Sequence, residues 1–346
     1  MRPPSDPLYD RSPAIVVWEM THACALACTH CRAQAVPRRD PAELSTREAF
    51  DLVDAIARSG AHLLILSGGD PMMRDDIYKI VEHARLCNLH VAVAPSATGR
   101  LREEALRRLF VAGASAISLS LDAPSREEHD RFRGVEGSFM RTITAIDQAR
   151  TIGLDVQVNT TITRRNHEKI GAFAPVLDDL GIARWTAFFL VPMGRANVAL
   201  MLDARQTEAA FERLYQAAQI APFPISTTEA PSYRRFVAQK EPATPQRPSI
   251  SDGRGFAFVS HVGDIYPSGF LPIAVANVRS SSFGEVYRTD PLFTRLRRPS
   301  SFSGRCGTCD YNILCGGSRA RAFAVYGDAF ASDPACAYGA GETANV

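Results

Sequence analysis

The stretch Ile15-Val16-Val17-Trp18-Glu19-Met20-Thr21-His22-Ala23-Cys24-Ala25-Leu26-Ala27-Cys28-Thr29-His30-Cys31 decides how the rest of the chain is read. Its first four residues are apolar, three of them β-branched, and with Glu19 they predict a strand. The three cysteines follow at once in a Cys-x3-Cys-x2-Cys loop. Thiolates are soft ligands, and this spacing lets three of them converge on one iron–sulfur cube. A [4Fe–4S] cluster usually takes four cysteines, so three leave one iron open to a small molecule, just as a catalytic zinc site keeps an open position. A zinc knuckle is the competing reading, although no fourth ligand stands nearby at zinc-like spacing.

Working outward, short apolar runs recur at residues 63–67, 90–95, 117–121, 155–162 and 185–191. Stretches with helical spacing lie between them, such as Glu48-Ala49-Phe50-Leu52-Val53-Ile56-Ala57. Strand alternating with helix predicts an α/β fold built of βα units on a parallel sheet. Six units fall short of a closed eight-unit barrel of about 250 residues, and sites in such barrels form at the C-terminal ends of the strands. The cysteine loop falls at the end of the first strand. The rhythm changes after Ala221, and Lys240 to Gly255 is rich in Pro, Ser and Gly, as loops are. Phe256–Ser260 and Asp264–Tyr266 then predict a hairpin. These signals divide the chain into a core at 12–225, a connecting segment at 226–255 and a small C-terminal domain at 256–346.

Of 346 residues 46% are hydrophobic and 22% charged, as in globular proteins, and the net charge is +2. No charge run points to nucleic acid, no apolar stretch nears the roughly 20 residues of a membrane span, and the N-terminus is not a secretion signal. A cytoplasmic protein is expected. The eight cysteines are grouped, three near the N-terminus, four between Cys306 and Cys336 and Cys87 alone. In a reducing compartment such groups point to metal rather than disulfides. Cys87, in a helix-like stretch, reads as a small buried hydrophobe.

Ser67-Gly68-Gly69-Asp70-Pro71 ends the second strand, where glycines let backbone approach a ligand closely. Ser118-Leu119-Ser120-Leu121-Asp122 reads as strand four and leads into His129-Asp130-Arg131-Phe132-Arg133-Gly134. Arg133 suits a carboxylate, because a planar guanidinium binds both oxygens; a helix cap at Asp122 and a surface ion pair at Arg133 are the plainer alternatives. Asn159, on strand five, points into the same mouth or is a satisfied core amide. The C-terminal group, Cys306-x2-Cys309-x5-Cys315-x20-Cys336, has enough ligands to close a second [4Fe–4S] cluster, with a four-cysteine zinc site as the rival.

Taken together, these motifs resemble the radical S-adenosylmethionine (SAM) enzymes. The resemblance implies a partial (β/α)6 TIM-like barrel and a [4Fe–4S] cluster on Cys24, Cys28 and Cys31, whose open iron takes the amine and carboxylate of SAM. It assigns cofactor contacts to His30 beside the adenine, to Ser67, Gly68, Gly69, Asp70 and Pro71 at the methionine amine (Asp70 replacing the family's usual Glu), and to Ser120, Asp122, Arg133 and Asn159 at the ribose and carboxylate. The chemistry implied is reductive cleavage of SAM to a 5′-deoxyadenosyl radical that takes a substrate hydrogen, with no side-chain acid or base. A reducing partner such as flavodoxin or ferredoxin is implied too.

The C-terminal group is similar to a reduced, twitch-like SPASM auxiliary domain, with Cys306, Cys309, Cys315 and Cys336 as ligands of an auxiliary [4Fe–4S] cluster. Full SPASM domains place cysteines where Ser268 and Arg319 stand, so one auxiliary cluster is expected rather than two. Such a cluster suits a net oxidation in which the substrate radical gives up an electron. The motif is most similar to the tetrapyrrole-tailoring branch, such as alternative haem synthase, which oxidatively decarboxylates propionates. Tyr233, Arg234, Arg235, Arg319 and Arg321 are then candidate carboxylate binders, or simply surface residues. The alternatives are a peptide-modifying maturase and, more remotely, an iron–sulfur sensor or scaffold.

Overall fold

A computed structural model describes residues 7–339. Its sheet has ten strands: β1 (Ile15–Glu19), β2 (Leu63–Ser67), β3 (His90–Val93), β4 (Ala116–Ser120), β5 (Asp155–Ile162), β6 (Arg184–Phe189), β7 (Ile225–Thr228), β8 (Phe256–Val259), β9 (Asp264–Tyr266) and β10 (Ala276–Asn277). They lie in the order β10-β9-β8-β1-β2-β3-β4-β5-β6-β7. β8 and β1 to β7 are mutually parallel, while β9 alone runs the other way, antiparallel to both β8 and β10. The sheet is open, with β7 and β10 at its edges, which bears out the partial-barrel expectation.

The six anticipated strands are present with small shifts in their ends. β3 stops at Val93, two residues before Pro95, which has no N–H to give a ladder. Residues 226–255, expected as a connecting segment, hold most of β7 and the helix Ser232–Lys240. Ile225-Ser226-Thr227-Thr228 carries no apolar alternation, so its sequence gives no strand signal; pairing with β6 places it. The expected hairpin forms, and β8 pairs parallel with β1 from Ile15↔Phe256 to Trp18↔Val259.

Alternation along the strands sorts side chains between two faces. In β5, Val156, Val158, Thr160 and Ile162 are buried toward the outer helices, while Gln157, Asn159 and Thr161 face inward. The helix Thr46–Arg58 shows how that outer layer is set. Ser45 and Glu48 form a reciprocal capping box at its start, and Ala49, Leu52, Val53 and Ile56 are buried against the sheet. Trp185 is fully buried outside β6, and its indole N–H donates to Thr160 Oγ1 at 2.9 Å, so burying the ring leaves no unmatched donor. The inward face is different. Barrel interiors are ordinarily filled by branched apolar side chains, but here Ser118, Ser120, Gln157, Asn159, Thr161, Thr186 and Thr227 line a cavity of about 910 Å³. Short polar side chains leave the barrel hollow.

Candidate functional site

The cavity reaches the C-terminal ends of the strands, where Cys24, Cys28 and Cys31 line it. Backbone bonds hold the loop. Cys24 N–H donates to Val36 O at 2.9 Å, Val36 N–H to His22 O at 3.1 Å, and Thr29 N–H to Phe132 O at 3.3 Å. Each sulfur has a polar donor within reach: Leu26 N–H at 3.3 Å from Cys24 Sγ, Arg133 Nη1 at 3.6 Å from Cys28 Sγ and Ala35 N–H at 3.4 Å from Cys31 Sγ. Ser96 Oγ lies 3.4 Å from Cys24 Sγ and donates to Gly69 O at 3.0 Å. Burial pushes the Cys24 thiol up, so its ionisation depends on a metal. Sulfurs ringed by N–H donors suit a thiolate-held iron–sulfur cluster. A single zinc ion would need sulfurs about 3.8 Å apart at Zn–S bonds of about 2.3 Å. A zinc knuckle would also need a fourth ligand beside these three, whereas a cluster with an open iron needs none.

Ser67, Gly68 and Gly69 line the cavity. The two glycines are required by the cysteine loop itself. Gly69 N–H donates to Thr21 O and Asp70 N–H to Ala23 O, both at 2.7 Å. A Cβ at Gly68 would come within 2.6 Å of Thr21 O, and one at Gly69 within 2.6 Å of both Ala23 O and His22 O. Asp70 and Pro71 lie behind this wall. Asp70 is fully buried, and its carboxylate accepts from Met72 N–H at 3.1 Å, Ser96 N–H at 3.3 Å and Thr98 Oγ1 at 3.0 Å. Its side chain ties the β2 and β3 loops together and does not face the cavity.

Ser120, Arg133 and Asn159 do face it; Asp122 does not. Asp122 is buried beneath Arg133, paired with Nη2 at 2.7 Å and accepting from Thr161 N–H at 2.7 Å. Its backbone N–H donates to His129 Nδ1 at 3.1 Å, which leaves Nε2 of that buried ring as the N–H facing Ser138 Oγ at 3.3 Å. His30 also lines the cavity, against Phe132 with ring centroids 4.3 Å apart. Burial pulls its pKa down to about 4, so it is neutral, and its Nδ1 is buried without a hydrogen-bond partner. An orphaned ring nitrogen beside the cysteines is what an incoming ligand would satisfy.

The four C-terminal cysteines lie near one another, Cys306 and Cys336 close enough to act on Cys315 and Cys306 on Cys309. Tyr311 N–H reaches Cys309 Sγ at 3.4 Å, Gly317 N–H reaches Cys315 Sγ at 3.3 Å, and Asp333 N–H reaches Cys306 Sγ at 3.4 Å. Cys336 N–H bonds to Asp333 O at 3.2 Å. Arg319 donates to Cys306 Sγ at 3.4 Å and to Ala329 O and Ala331 O. Arg321 pairs with fully buried Asp333 at 2.9 Å. Both arginines therefore build this module and do not reach the cavity. Arg235 is occupied too, by Glu208 and Gln239. Of the five candidate carboxylate binders, Tyr233 and Arg234 line the cavity.

Sequence reading missed Ser96, Arg195 and Glu229, which all line it. Arg195 follows Gly194, where a Cβ would come within 2.4 Å of Cys31 O and Arg32 O, and its N–H donates to Cys31 O at 3.0 Å. The Gly-Arg pair just past strand six was the available signal. Glu229 sits after β7 in the left-handed region, at φ 56°. Ser318 Oγ donates to its Oε2 at 2.6 Å, and Arg321 Nη2 to its carbonyl at 2.7 Å. Burial and nearby Asp252 push its carboxyl up to about 8. Cys87, expected as a buried hydrophobe, is partly exposed and lies 3.3 Å from Asp54 Oδ1.

Comparison with known proteins agrees with this geometry. Residues 18–178 match the Radical SAM superfamily. An AdoMet-dependent heme synthase of Oleidesulfovibrio alaskensis is 37% identical over 96% of this chain and 89% of its own. One from Methanosarcina barkeri is 34% identical over 96% and 98%. The mycofactocin maturase MftC of Mycobacterium tuberculosis is 31% identical over 96% and 85%. The structure of Streptococcus suis SuiB bound to S-adenosylmethionine shares the fold, with a TM-score of 0.72 at 16% identity over 94% of this chain and 78% of that one. The chain belongs to the radical SAM superfamily. It is an enzyme of that family, which implies a [4Fe–4S] cluster and SAM as cofactors. No helix among the described residues is long and apolar enough to cross a membrane.

Proposed function

We propose that this enzyme oxidatively decarboxylates the propionate side chains of a haem-type tetrapyrrole. One observation carries the reading. A single cavity runs from Cys24, Cys28 and Cys31 to Ser318, three residues past Cys315, and Arg133, Arg195 and Arg234 line it. Arg195 is exposed to it, and Arg234 is half-buried with one nitrogen on Arg247 O at 3.0 Å. Guanidinium groups around a cavity of about 910 Å³ suit a large ligand bearing several carboxylates.

Cys24, Cys28 and Cys31 would hold the cluster that, with SAM bound, supplies a 5′-deoxyadenosyl radical able to take hydrogen from an unactivated carbon. Around it Ser67, Gly68, Gly69, His30, Ser120, Arg133 and Asn159 would hold SAM, with Asp122 orienting Arg133 and Asp70 shaping the Gly68–Gly69 wall. Cys306, Cys309, Cys315 and Cys336 would hold a second [4Fe–4S] cluster, a one-electron acceptor. For each propionate converted to a vinyl group, one hydrogen atom and one electron leave the substrate as CO2 departs. The arginines fix which carboxylate approaches the radical, and the enclosed walls keep water from it. The core at 12–225 would supply the radical site, and residues 256–346, joined through 226–255, the electron-accepting module. A flavodoxin or ferredoxin would supply the reducing electron, and the cytoplasm suits a chain whose eight cysteines are all free of disulfides.

Anaerobic incubation with SAM, reductant and a propionate-bearing iron porphyrin tests this. The expected result is 5′-deoxyadenosine together with a tetrapyrrole lighter by about 46 mass units per side chain, CO2 and two hydrogens, whereas a loss of about 44 would be decarboxylation without oxidation. A peptide lighter by about 2 units, with the porphyrin unchanged, would instead identify a maturase. SAM binding without 5′-deoxyadenosine would leave only a sensor.

A further inference from the structure

Outside the cavity, a second set of metal-ligating side chains comes together where β1, the cysteine loop and the β8–β9 turn meet. The carboxylate of Glu19, the last residue of β1, is 2% exposed. His22 Nε2 lies 2.8 Å from Glu19 Oε2, and His261 Nδ1, from the turn, lies 3.8 Å from the same oxygen. The two imidazoles stack with centroids 3.7 Å apart, and the three ligand atoms lie within 4.8 Å of one another. Neither histidine lines the large cavity.

Hydrogen bonding does not account for His261. The residue is 8% exposed, and its Nδ1 is buried with no hydrogen-bond partner. Its other nitrogen, Nε2, faces Asp40 Oδ2 at 3.6 Å. His261 Nδ1 faces Glu19 Oε2 across 3.8 Å, too far for a hydrogen bond but a gap that an ion bound to both atoms would span. A cation there would take one ligand atom from each, with His22 Nε2 as the third. A carboxylate behind the far nitrogen is also the usual support of a metal-bound histidine. Glu19 is oriented for the task, because its other oxygen, Oε1, is ion-paired with Arg32, whose guanidinium lies over the Phe258 ring. Asp40 stands behind His261, and Glu43, ion-paired with Arg39 at 2.6 Å, accepts from Thr21 Oγ1 at 2.5 Å.

We propose that Glu19, His22 and His261 form a binding site for a divalent first-row transition metal, distinct from both cysteine groups, that ties the β8–β9 turn to the start of the cysteine loop. Two imidazoles and one carboxylate suit zinc, iron(II) or manganese(II), with water completing the shell. Bound there, the ion joins the strand that begins the C-terminal module to the loop that carries Cys24. The site needs neither SAM nor substrate.

Manganese(II) is the probe, because it prefers nitrogen and oxygen ligands and spares the thiolates. The anaerobic, cluster-loaded protein is titrated while the six-line resonance of free manganese is followed. One equivalent is expected to disappear per chain, with a rise in the unfolding temperature. In His261→Gln and Glu19→Gln the apparent affinity should fall at least about 10-fold, the loss usual for disrupted metal ligation. Iron content and far-ultraviolet dichroism of the same samples identify any variant that has failed to fold, and His22→Asn provides a third, more exposed substitution. Absence of stoichiometric binding to the native chain, or equal binding by folded His261→Gln, overturns the proposal.

Discussion

Arg133 Nη2 pairs with Asp122 Oδ2 at 2.7 Å while its Nη1 reaches Cys28 Sγ at 3.6 Å, so one guanidinium couples the end of β4 to the cysteine loop. Asp122 is 1% exposed, and burial would raise its pKa were Arg133 not there to hold it down. Removing one member of such a pair strands the other charge. Arg133→Ala should therefore destabilise the fold by about 3–5 kcal/mol. The double variant Arg133→Met/Asp122→Asn should recover most of that loss, yet bind SAM weakly. Chemical unfolding and SAM binding by calorimetry check this; tight SAM binding by the double variant would remove Arg133 from the cofactor site.

Gly69 is held between two carbonyls. Because a Cβ there would come within 2.6 Å of Ala23 O and His22 O, both backbone atoms, Gly69→Ala must displace the cysteine loop. A cost of about 1–3 kcal/mol is expected, with loss of iron from the three-cysteine site. Gly99→Ala meets nothing within 4 Å and should leave iron content unchanged. Iron analysis after identical reconstitution compares the two.

These residues also show how far the sequence could be read. The cysteine spacing and the strand rhythm placed Cys24, Cys28 and Cys31 at the barrel mouth, because both signals are local, and the family resemblance added Ser120 and Arg133. Asp70 and Asp122 were placed in the right loops but on the wrong side of the wall, since facing depends on the turn after each strand. Arg319 and Arg321 read as carboxylate binders or as surface residues and are neither, because the sequence does not reveal that Asp333, twelve residues beyond Arg321, returns to neutralise it. Glu229 and His261 gave no signal at all. One depends on a left-handed turn after a strand without alternation, the other on the pairing of β8 with β1.

The four C-terminal cysteines make a separable prediction. Cys309→Ala should lower iron from about eight to about four atoms per chain. Cleavage of SAM should persist, because the three-cysteine loop is untouched, while oxidised product is lost. Iron analysis, 5′-deoxyadenosine and product mass are measured on one preparation. Unchanged product formation with the second cluster absent, or stoichiometric re-formation of SAM, would remove the electron-accepting role.

Glu229 carries a pH dependence whose sign is fixed by the direction of its shift. The ordinary value is 4.5, and burial together with Asp252 lifts it to about 8 in the folded protein. The folded state therefore keeps a proton that the unfolded chain releases, and the stability associated with Glu229 is full below about pH 4.5 and lost as pH rises through 8. Glu229→Gln keeps the acceptor for Ser318 and cannot ionise. Its unfolding temperature should nearly match that of the native enzyme at pH 5 and exceed it progressively toward pH 8, the gap then staying constant. A gap independent of pH would mean that Glu229 is already ionised throughout, and the cavity wall between the two cysteine groups would then present a carboxylate to a polycarboxylate substrate, against the proposed function.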